Sequence, residues 1–277
     1  MNQPLVSVIV PTRQSAATIG PCLSSIVSQT YSNLELIVVD NNSTDATKEI
    51  ARVFTGQVHN RGPERSAQRN FGVKQARGEL VMIIDSDMVL GPRVVAACVA
   101  EFTRQPGLAG VVIPEESFGQ GFWAQCKRLE RSFYVGVPWM EAARCFPRAD
   151  YLRLGGYDEQ LVSGEDWDLS QRAARQGPIG RIDQYIRHNE GHLKLTGLLR
   201  KKYYYAQKFA GYIAKQNQEG APQAQNQTGI LARYKLFLAR PGRLFRHPIQ
   251  GLGMLFMKTS EFAVGGFGYI LARRGVH

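Results

Sequence analysis

An α/β fold built on a mostly parallel sheet is the class this sequence predicts, and three observations predict it. Short, nearly continuous apolar runs recur through the first 113 residues, as strands buried on both faces do. Segments with apolar residues at helical spacing separate these runs, the alternation of a sheet covered by helices. Polar residues directly follow three of the runs: Pro11-Thr12, Asp40-Asn41-Asn42 and Asp85-Ser86-Asp87. Ligands of open α/β sheets bind beyond the carboxyl ends of the strands. If the three strands are neighbours, Asp40, Asp85 and Asp87 share one crevice.

The first strand is Leu5–Val10, interrupted only by Ser7 and stopped by Pro11. Ile19, Leu23, Ile26 and Val27 then mark a helix. Leu34–Val39 is the second strand and ends at Asp40; Asp45 is placed to cap a helix through Ile50 and Val53. Leu80–Ile84 is a third strand, ending in Asp85-Ser86-Asp87. Pro92 suits the first turn of a helix containing Val94, Val95 and Cys98, and Leu108–Ile113 is a further strand. Residues 114–190 are less regular. Gly155-Gly156-Tyr157-Asp158 reads as a turn, Gly164-Glu165-Asp166-Trp167-Asp168-Leu169 opens a helix through Ala174, and Ile179–Ile186 reads as a strand. Gln216–Gly229 is polar and rich in Gln and Asn, the composition of a linker or mobile loop.

The chain has 277 residues, 44% of them hydrophobic and 21% charged, an ordinary globular composition that argues against disorder or a coiled coil. No long uninterrupted apolar window is present, so a membrane span is not expected. MNQPLVSVIVPTR lacks a basic region ahead of its apolar run and reads as a strand, not a signal peptide. Cys22, Cys98, Cys126 and Cys145 lie far apart, without metal-ligand or disulfide spacing, which points to the reducing cytoplasm. The net charge of +11 is unevenly placed: residues 1–190 carry 20 Lys/Arg and 21 Asp/Glu, residues 191–277 carry 14 and 2. A balanced catalytic body (1–190) followed by a basic, aromatic-rich helical region (191–277) is unlike a uniformly basic nucleic-acid binder. It suggests contact between the tail and an anionic surface. Ile249–Leu271 is strongly apolar but contains Lys258 and Glu261, which suits a helix lying in a membrane interface better than one that spans.

Several residues carry chemistry of their own. Asp85 and Asp87, on alternate positions after a strand, suit a hard divalent ion that keeps phosphate oxygens as further ligands, or an ion and a ribose hydroxyl. Asp40 is either a turn or capping residue or an acceptor for a nucleobase imide N–H. Glu165, Asp166 and Asp168 complement a helix dipole; buried together, such acids raise one another's pKa, as a general base requires. His188 and His192, read as lying in a polar loop after a strand, are candidates for a metal ligand. Lys201, Lys202 and Tyr203-Tyr204-Tyr205, beside Arg200 and Lys208, either stack sugars or bases, sit at lipid headgroups, or form a solvated basic helix.

Four stretches, SVIVPTRQSAATI, LELIVVDNNSTDAT, RSAQRNFGVKQARGELVMIIDSDM and GGYDEQLVSGEDWDLSQRAARQG, together resemble the family 2 glycosyltransferases, in the family's order and over residues 5–190. The resemblance implies a GT-A-type, Rossmann-like fold and an inverting transfer from a nucleotide-sugar donor to an acceptor hydroxyl. It implies that Pro11, Thr12 and Asp40 frame the base and that Arg65, Arg69 and Asn70 belong to a stretch of donor contacts. Asp85 and Asp87 would form the DXD motif, Asp166 the catalytic base, and His188 (with His192 close by) the later ligand of Mg²⁺ or Mn²⁺. Relatives with an acidic residue shortly after Pro-Thr differ from this chain, which has Arg13-Gln14-Ser15. The expected partners are a nucleotide-sugar donor, a lipid-linked or saccharide acceptor in envelope or exopolysaccharide glycan synthesis, and the cytoplasmic face of an anionic membrane, with no nucleic acid. Two rivals stand beside this reading. A sugar-nucleotide synthase would show a Gly-rich phosphate loop after its first strand, and VPTRQSAAT has no glycine. A non-enzymatic binder of sugar nucleotide, anionic membrane or nucleic acid fits the tail but not the acidic crevice.

Overall fold

The computed structural model describes residues 3–218, 227 and 229–274. In chain order the elements are β1 (Val6–Thr12), α1 (Ile19–Val27), β2 (Leu34–Asp40), α2 (Thr47–Phe54), β3 (Val58–Asn60), α3 (Arg65–Gln75), β4 (Leu80–Ile83), β5 (Met88–Leu90), α4 (Val94–Arg104), β6 (Gly110–Val112), β7 (Glu115–Gln120) and α5 (Phe122–Ser132). They continue with β8 (Ala143–Pro147), α6 (Arg148–Arg153), α7 (Glu165–Ala174), β9 (Ile179–Arg181), β10 (Ile186–His192), α8 (Leu195–Gln218), α9 (Ile230–Leu238), α10 (Pro241–Leu244) and α11 (Pro248–Arg274). These elements form two compact units.

The first unit contains the residues up to Glu115, then Ala142–Glu159 and Glu165–Asn189. Its seven-stranded sheet runs β3-β2-β1-β4-β8-β6-β9. β1, β2, β3 and β4 are parallel, as are β6 and β9, while β8 is antiparallel to both its neighbours. The continuous apolar runs are explained by burial on two sides. Val8 and Val10 of β1 join Val38, Met82, α1 and α4 in one core layer, whereas Ile9 joins Ile37, Val39, Val81 and Ile83 in the other. On the second face α3 approaches so closely that a Cβ at Gly72 would lie 2.5 Å from Ile9 Cγ2.

Three local expectations are corrected. β1 does not stop at Pro11 but runs on to Thr12, paired with β2 as far as Thr12↔Asp40. Its pairing with β4 ends at Ile9↔Ile83, so the missing N–H of Pro11 falls where β1 has one strand neighbour instead of two. Pro92 precedes α4 instead of occupying its first turn, and its carbonyl accepts from Thr30 N. Ile179–Ile186 is two strands, not one. The chain leaves β9 at Arg181 and re-enters as β10, where Ile186, Arg187 and His188 pair antiparallel with Leu90, Val89 and Met88 of β5. His188 and His192 therefore belong to a strand, not to a loop. Asp45 serves the start of α2 from one residue before the N-cap, which is Ala46: its Oδ1 accepts from Thr47 N.

The second unit comprises Glu116–Glu141, Gln160–Gly164 and the residues from Glu190 onward. Its core joins Cys126, Phe133 and Tyr134 of α5 and its flank to Phe237, Leu244, Met254 and Met257. Lys258 and Glu261 are not solvated charges on an apolar helix. Both are buried, and Lys258 bonds to Glu130 and Glu261 while Lys127 bonds to Glu130 at 2.8 Å and to Glu261 at 3.3 Å. Burial would raise the Glu130 carboxyl, but the two ammonium groups hold it well below the usual carboxylate range. Gln216–Gln218 end α8; residues 219–226 and 228 of the expected linker lie outside the described residues. All four cysteines are buried free thiols.

Candidate active site

The strand order brings the three polar strand ends together. β2, β1 and β4 are adjacent and parallel, so Asp40, Thr12 and the Asp85-Ser86-Asp87 turn leave one edge of the sheet. At the β2 end Asp40 is fully buried and fastens the turn that follows: its carboxylate accepts from Ser43 N at 2.7 Å and from Ser43 Oγ at 2.6 Å. Gln14 fastens the same loop, its Oε1 accepting from Thr44 N and Asp45 N and its Nε2 donating to Thr44 Oγ1. The buried Thr12 Oγ1 has no hydrogen-bond partner among the described residues.

The β4 end is organised by two arginines. Arg69 is fully buried on α3; its Nη2 donates to Asp85 at 2.6 Å and its Nη1 to Asp166 at 3.0 Å, with Glu165 at 3.3 Å. Its guanidinium lies 4.8 Å from the centre of the Tyr157 ring. Arg65, one turn earlier, donates through Nε to Glu165 at 2.8 Å. Arg144 reaches from β8 to Glu115 at 2.6 Å and towards Asp85 at 3.6 Å. Burial would raise the Asp85 carboxyl; Arg69, Arg144 and Arg65 outweigh it and hold Asp85 well below the usual carboxylate range. Glu165 moves the other way, raised by burial and by the charge of Asp166, which Arg65 and Arg69 only partly offset. Glu165 thus holds a proton more tightly than an ordinary carboxyl.

Asp87 makes its contact with a histidine. Its Oδ2 lies 3.1 Å from His188 Nε2, a contact dictated by register: His188 pairs with Met88, and Asn189 N donates to the Asp87 carbonyl at 2.8 Å. His192 falls in the second unit, where its ring lies beside Gly121. His188 is therefore the histidine brought to the aspartate. Ser86 Oγ donates to Ser15 Oγ, tying the turn to the loop after β1.

The structure also shows what Asn70 does. Its Oδ1 accepts from Tyr157 N and Tyr151 OH, and its Nδ2 donates to the Tyr157 carbonyl and to Glu159. Asn70 thus staples the Gly155-Gly156-Tyr157 turn to α3. Gly156, at φ +69, could not carry a Cβ there, since it would sit 2.4 Å from Asn70 Oδ1. The turn delivers Tyr157 under Arg69 and leads toward α7. Arg144, Glu115, Tyr157 and Glu159 escaped the reading from sequence. The one signal for Arg144 was a cation inside the otherwise apolar Ala143–Pro147 run.

Residues 7–154 match the family model described as "Glycosyl transferase family 2". A validoxylamine A glucosyltransferase of Streptomyces hygroscopicus subsp. jinggangensis is 27% identical over 221 residues, 63% of this chain and 52% of that protein. Glycosyltransferase AglE of Haloferax volcanii is 41% identical over 93 residues, 30% of this chain and 31% of that one. The chain thus spans about half or less of the length of these curated relatives. Among solved structures, the mannosyltransferase PcManGT of Pyrobaculum calidifontis, in complex with GDP-Man and Mn²⁺, superposes with a TM-score of 0.58 at 21% identity, covering 98% of this chain and 81% of that one. S. aureus TarS 1–349 in complex with UDP gives a TM-score of 0.52 at 17% identity, covering 98% and 92%. At these identities the likeness speaks for the fold, a GT-A-type α/β sheet.

Proposed function

The chain belongs to glycosyl transferase family 2, and we propose on that footing that it transfers a sugar from a nucleoside-diphosphate donor to an acceptor hydroxyl, with inversion at the anomeric carbon. The observation that carries the reading is Arg69, which holds Asp85 at the end of β4 and Asp166 at the start of α7 through one guanidinium. A donor group on the first and an acceptor hydroxyl on the second would meet within the same small volume.

Asp166 is the base. It takes the acceptor proton as that oxygen bonds to the anomeric carbon, and the bond from this carbon to the diphosphate breaks on the opposite side. Pro11, Thr12 and Asp40 frame the nucleobase, with the unpartnered Thr12 Oγ1 available to it. Arg65 and Arg69 meet the donor beside Asp85, and Asn70 supports Arg69 through the Tyr157 turn.

The donor set at Asp87 and His188 suits a divalent cation. Among the described residues no group of three or more His, Cys, Asp or Glu side chains is placed to hold an ion alone. Asp87 would supply the oxygen ligand that Mg²⁺ or Mn²⁺ prefers and His188 would stand beside it, with diphosphate oxygens of the donor completing the set. When bound, such an ion offsets the charge that develops on the leaving diphosphate. The mannosyltransferase complex with GDP-Man and Mn²⁺ supports this choice.

Asp87→Asn tests it. The side chain is more than a third exposed, so the protein should fold normally. Donor turnover should fall by more than the ~10–100-fold typical of losing an outer-shell partner of a metal. The assay is release of nucleoside diphosphate from a panel of sugar nucleotides with Mg²⁺ or Mn²⁺. Full activity of this variant, or of the unaltered protein in excess EDTA, would remove the metal from the mechanism. The acceptor is a saccharide or lipid-linked glycan in envelope or exopolysaccharide synthesis; chondroitin synthase of Escherichia coli, 23% identical over 70% of this chain and 30% of its own, supports the saccharide part of that reading. The basic tail supports work at the cytoplasmic face of a membrane, where the negative leaflet would hold it peripherally.

A further inference from the structure

We propose that the outward face of α11, together with the exposed residues of α9 and of the α9–α11 connection, is a docking face that lies in the plane of an anionic bilayer surface. This deepens the membrane contact proposed above by assigning it to a particular helix face and orientation.

The first observation is a stripe. Ile249, Leu252, Phe256, Phe267 and Ile270 all point outward, each between 51% and 72% exposed. Their separations of three, four, eleven and three residues keep them on one side of an α-helix, with the exposed Thr259 and Ala263 filling the gap between Phe256 and Phe267. Leu231 and Leu238 of α9, two turns apart, and Phe245 of the connection are likewise exposed. Trp123 of α5 backs the row, its ring 6.2 Å from that of Phe256. Scattered surface leucines need no explanation, but a run of large apolar groups along one helix marks a contact surface.

The second observation fixes which way the helix is rolled. Its other side is committed to the unit's own core: Met254 and Met257 are buried, and Lys258 and Glu261 are paired with Lys127 and Glu130 of α5. Turning the stripe inward would expose these methionines and tear apart four buried charges. No helix among the described residues is long and apolar enough to cross a membrane. The helix is held to lie flat.

Charge selects the occupant. Residues 230–260 contain Arg233, Lys235, Arg240, Arg243, Arg246 and Lys258 and not one Asp or Glu. Lys235, Arg240, Arg243 and Arg246 are exposed, and Arg243 also donates to the Ser132 carbonyl. A second copy meeting this face would set the same cations against themselves. An anionic leaflet complements them and accepts the apolar row between its headgroups. The side chains of Arg273 and Arg274 lie outside the described residues.

The test is flotation of the full chain with vesicles of phosphatidylcholine, with and without phosphatidylglycerol, at low and high salt. The protein should float with the anionic vesicles and be released by salt. Leu252→Glu combined with Phe256→Glu changes two exposed positions, so circular dichroism should be unaltered while partitioning falls about tenfold or more for each side chain. Arg240→Glu combined with Arg246→Glu should abolish the preference for anionic lipid. A full-length protein that stays soluble at low salt with anionic vesicles overturns the proposal. So does unchanged binding by the Leu252/Phe256 variant, or a dimer in lipid-free buffer that this variant converts to monomer. Donor turnover on a soluble acceptor is read separately: its loss would count against the transferase reading and leave the docking face standing.

Discussion

Asp166→Asn should lower kcat for sugar transfer by about 10²–10⁴-fold while donor affinity stays close to its original value. Three carboxylates stand on the first turn of α7, and exposure separates them. Asp166 is 33% exposed, whereas Glu165 and Asp168 are at 2% and 0%; Asp168 is spent on Arg172 at 2.8 Å. Of the three, Asp166 alone has the exposure that the proposed meeting with an acceptor hydroxyl needs. The amide is nearly isosteric and its oxygen still accepts from Arg69, so the geometry survives and only the proton acceptor is lost. Single-turnover transfer gives the chemical step, and calorimetric titration with nucleoside diphosphate gives the donor side. A variant that loses nucleotide binding and keeps its turnover would place the base elsewhere.

Lys258→Met should cost the second unit about 3–5 kcal/mol of stability, the usual consequence of removing one partner from a buried ionic group. Glu130 and Glu261 remain buried with Lys127 as the ammonium that still bonds to them, and Tyr134, which donates to Glu130 Oε1, cannot replace a charge. The pH dependence follows from the direction of the shifts. Both carboxyls lie below their ordinary value in the folded chain, raised by burial but lowered more by the lysines. Their contribution is complete above the ordinary carboxylate pKa and is lost as pH falls through the depressed folded values. The gap between the original protein and Lys258→Met should therefore close as the solution is acidified. Hydrogen exchange of α5 and α11 measures it locally; equal protection in the two proteins at neutral pH would show the charge group to be dispensable.

The parts of this fold visible in the sequence were those whose burial is written locally. β1, β2 and β4 are buried on both faces and so show unbroken apolar runs, and the acids after them are brought together simply because the strands are neighbours. β8 was hidden by Arg144, a cation that a buried strand tolerates only because Glu115 and Asp85 receive it from elsewhere in the chain. β10 was hidden by its polar run Arg187-His188-Asn189-Glu190-Gly191-His192, whose strand character comes from pairing with β5 and not from its own side chains. In the tail, composition revealed an apolar helix interrupted by two charges. Their orientation depends on Lys127 and Glu130, more than 120 residues earlier, and no local pattern contains that information. Asp40 illustrates the opposite limit: a turn residue and a nucleobase contact read alike in DNNSTD, and its bonds to Ser43 show that it fastens the turn, a role that leaves the base contact to experiment.

Arg69 makes Asp85 and Asp166 share one cation, although 81 residues of sequence separate them. Two positions that draw on a common partner are not independent under mutation. Loss of either carboxylate frees the guanidinium to bind the other more fully, so the second loss starts from a different background than the first. A double-mutant cycle across the pair should deviate from additivity by about 0.5–3 kcal/mol. Across diverging descendants of this chain, a change at one of the two aspartates should be accompanied by change at the other or at the arginine, a pattern of inherited dependence set by a single fork of N–H groups.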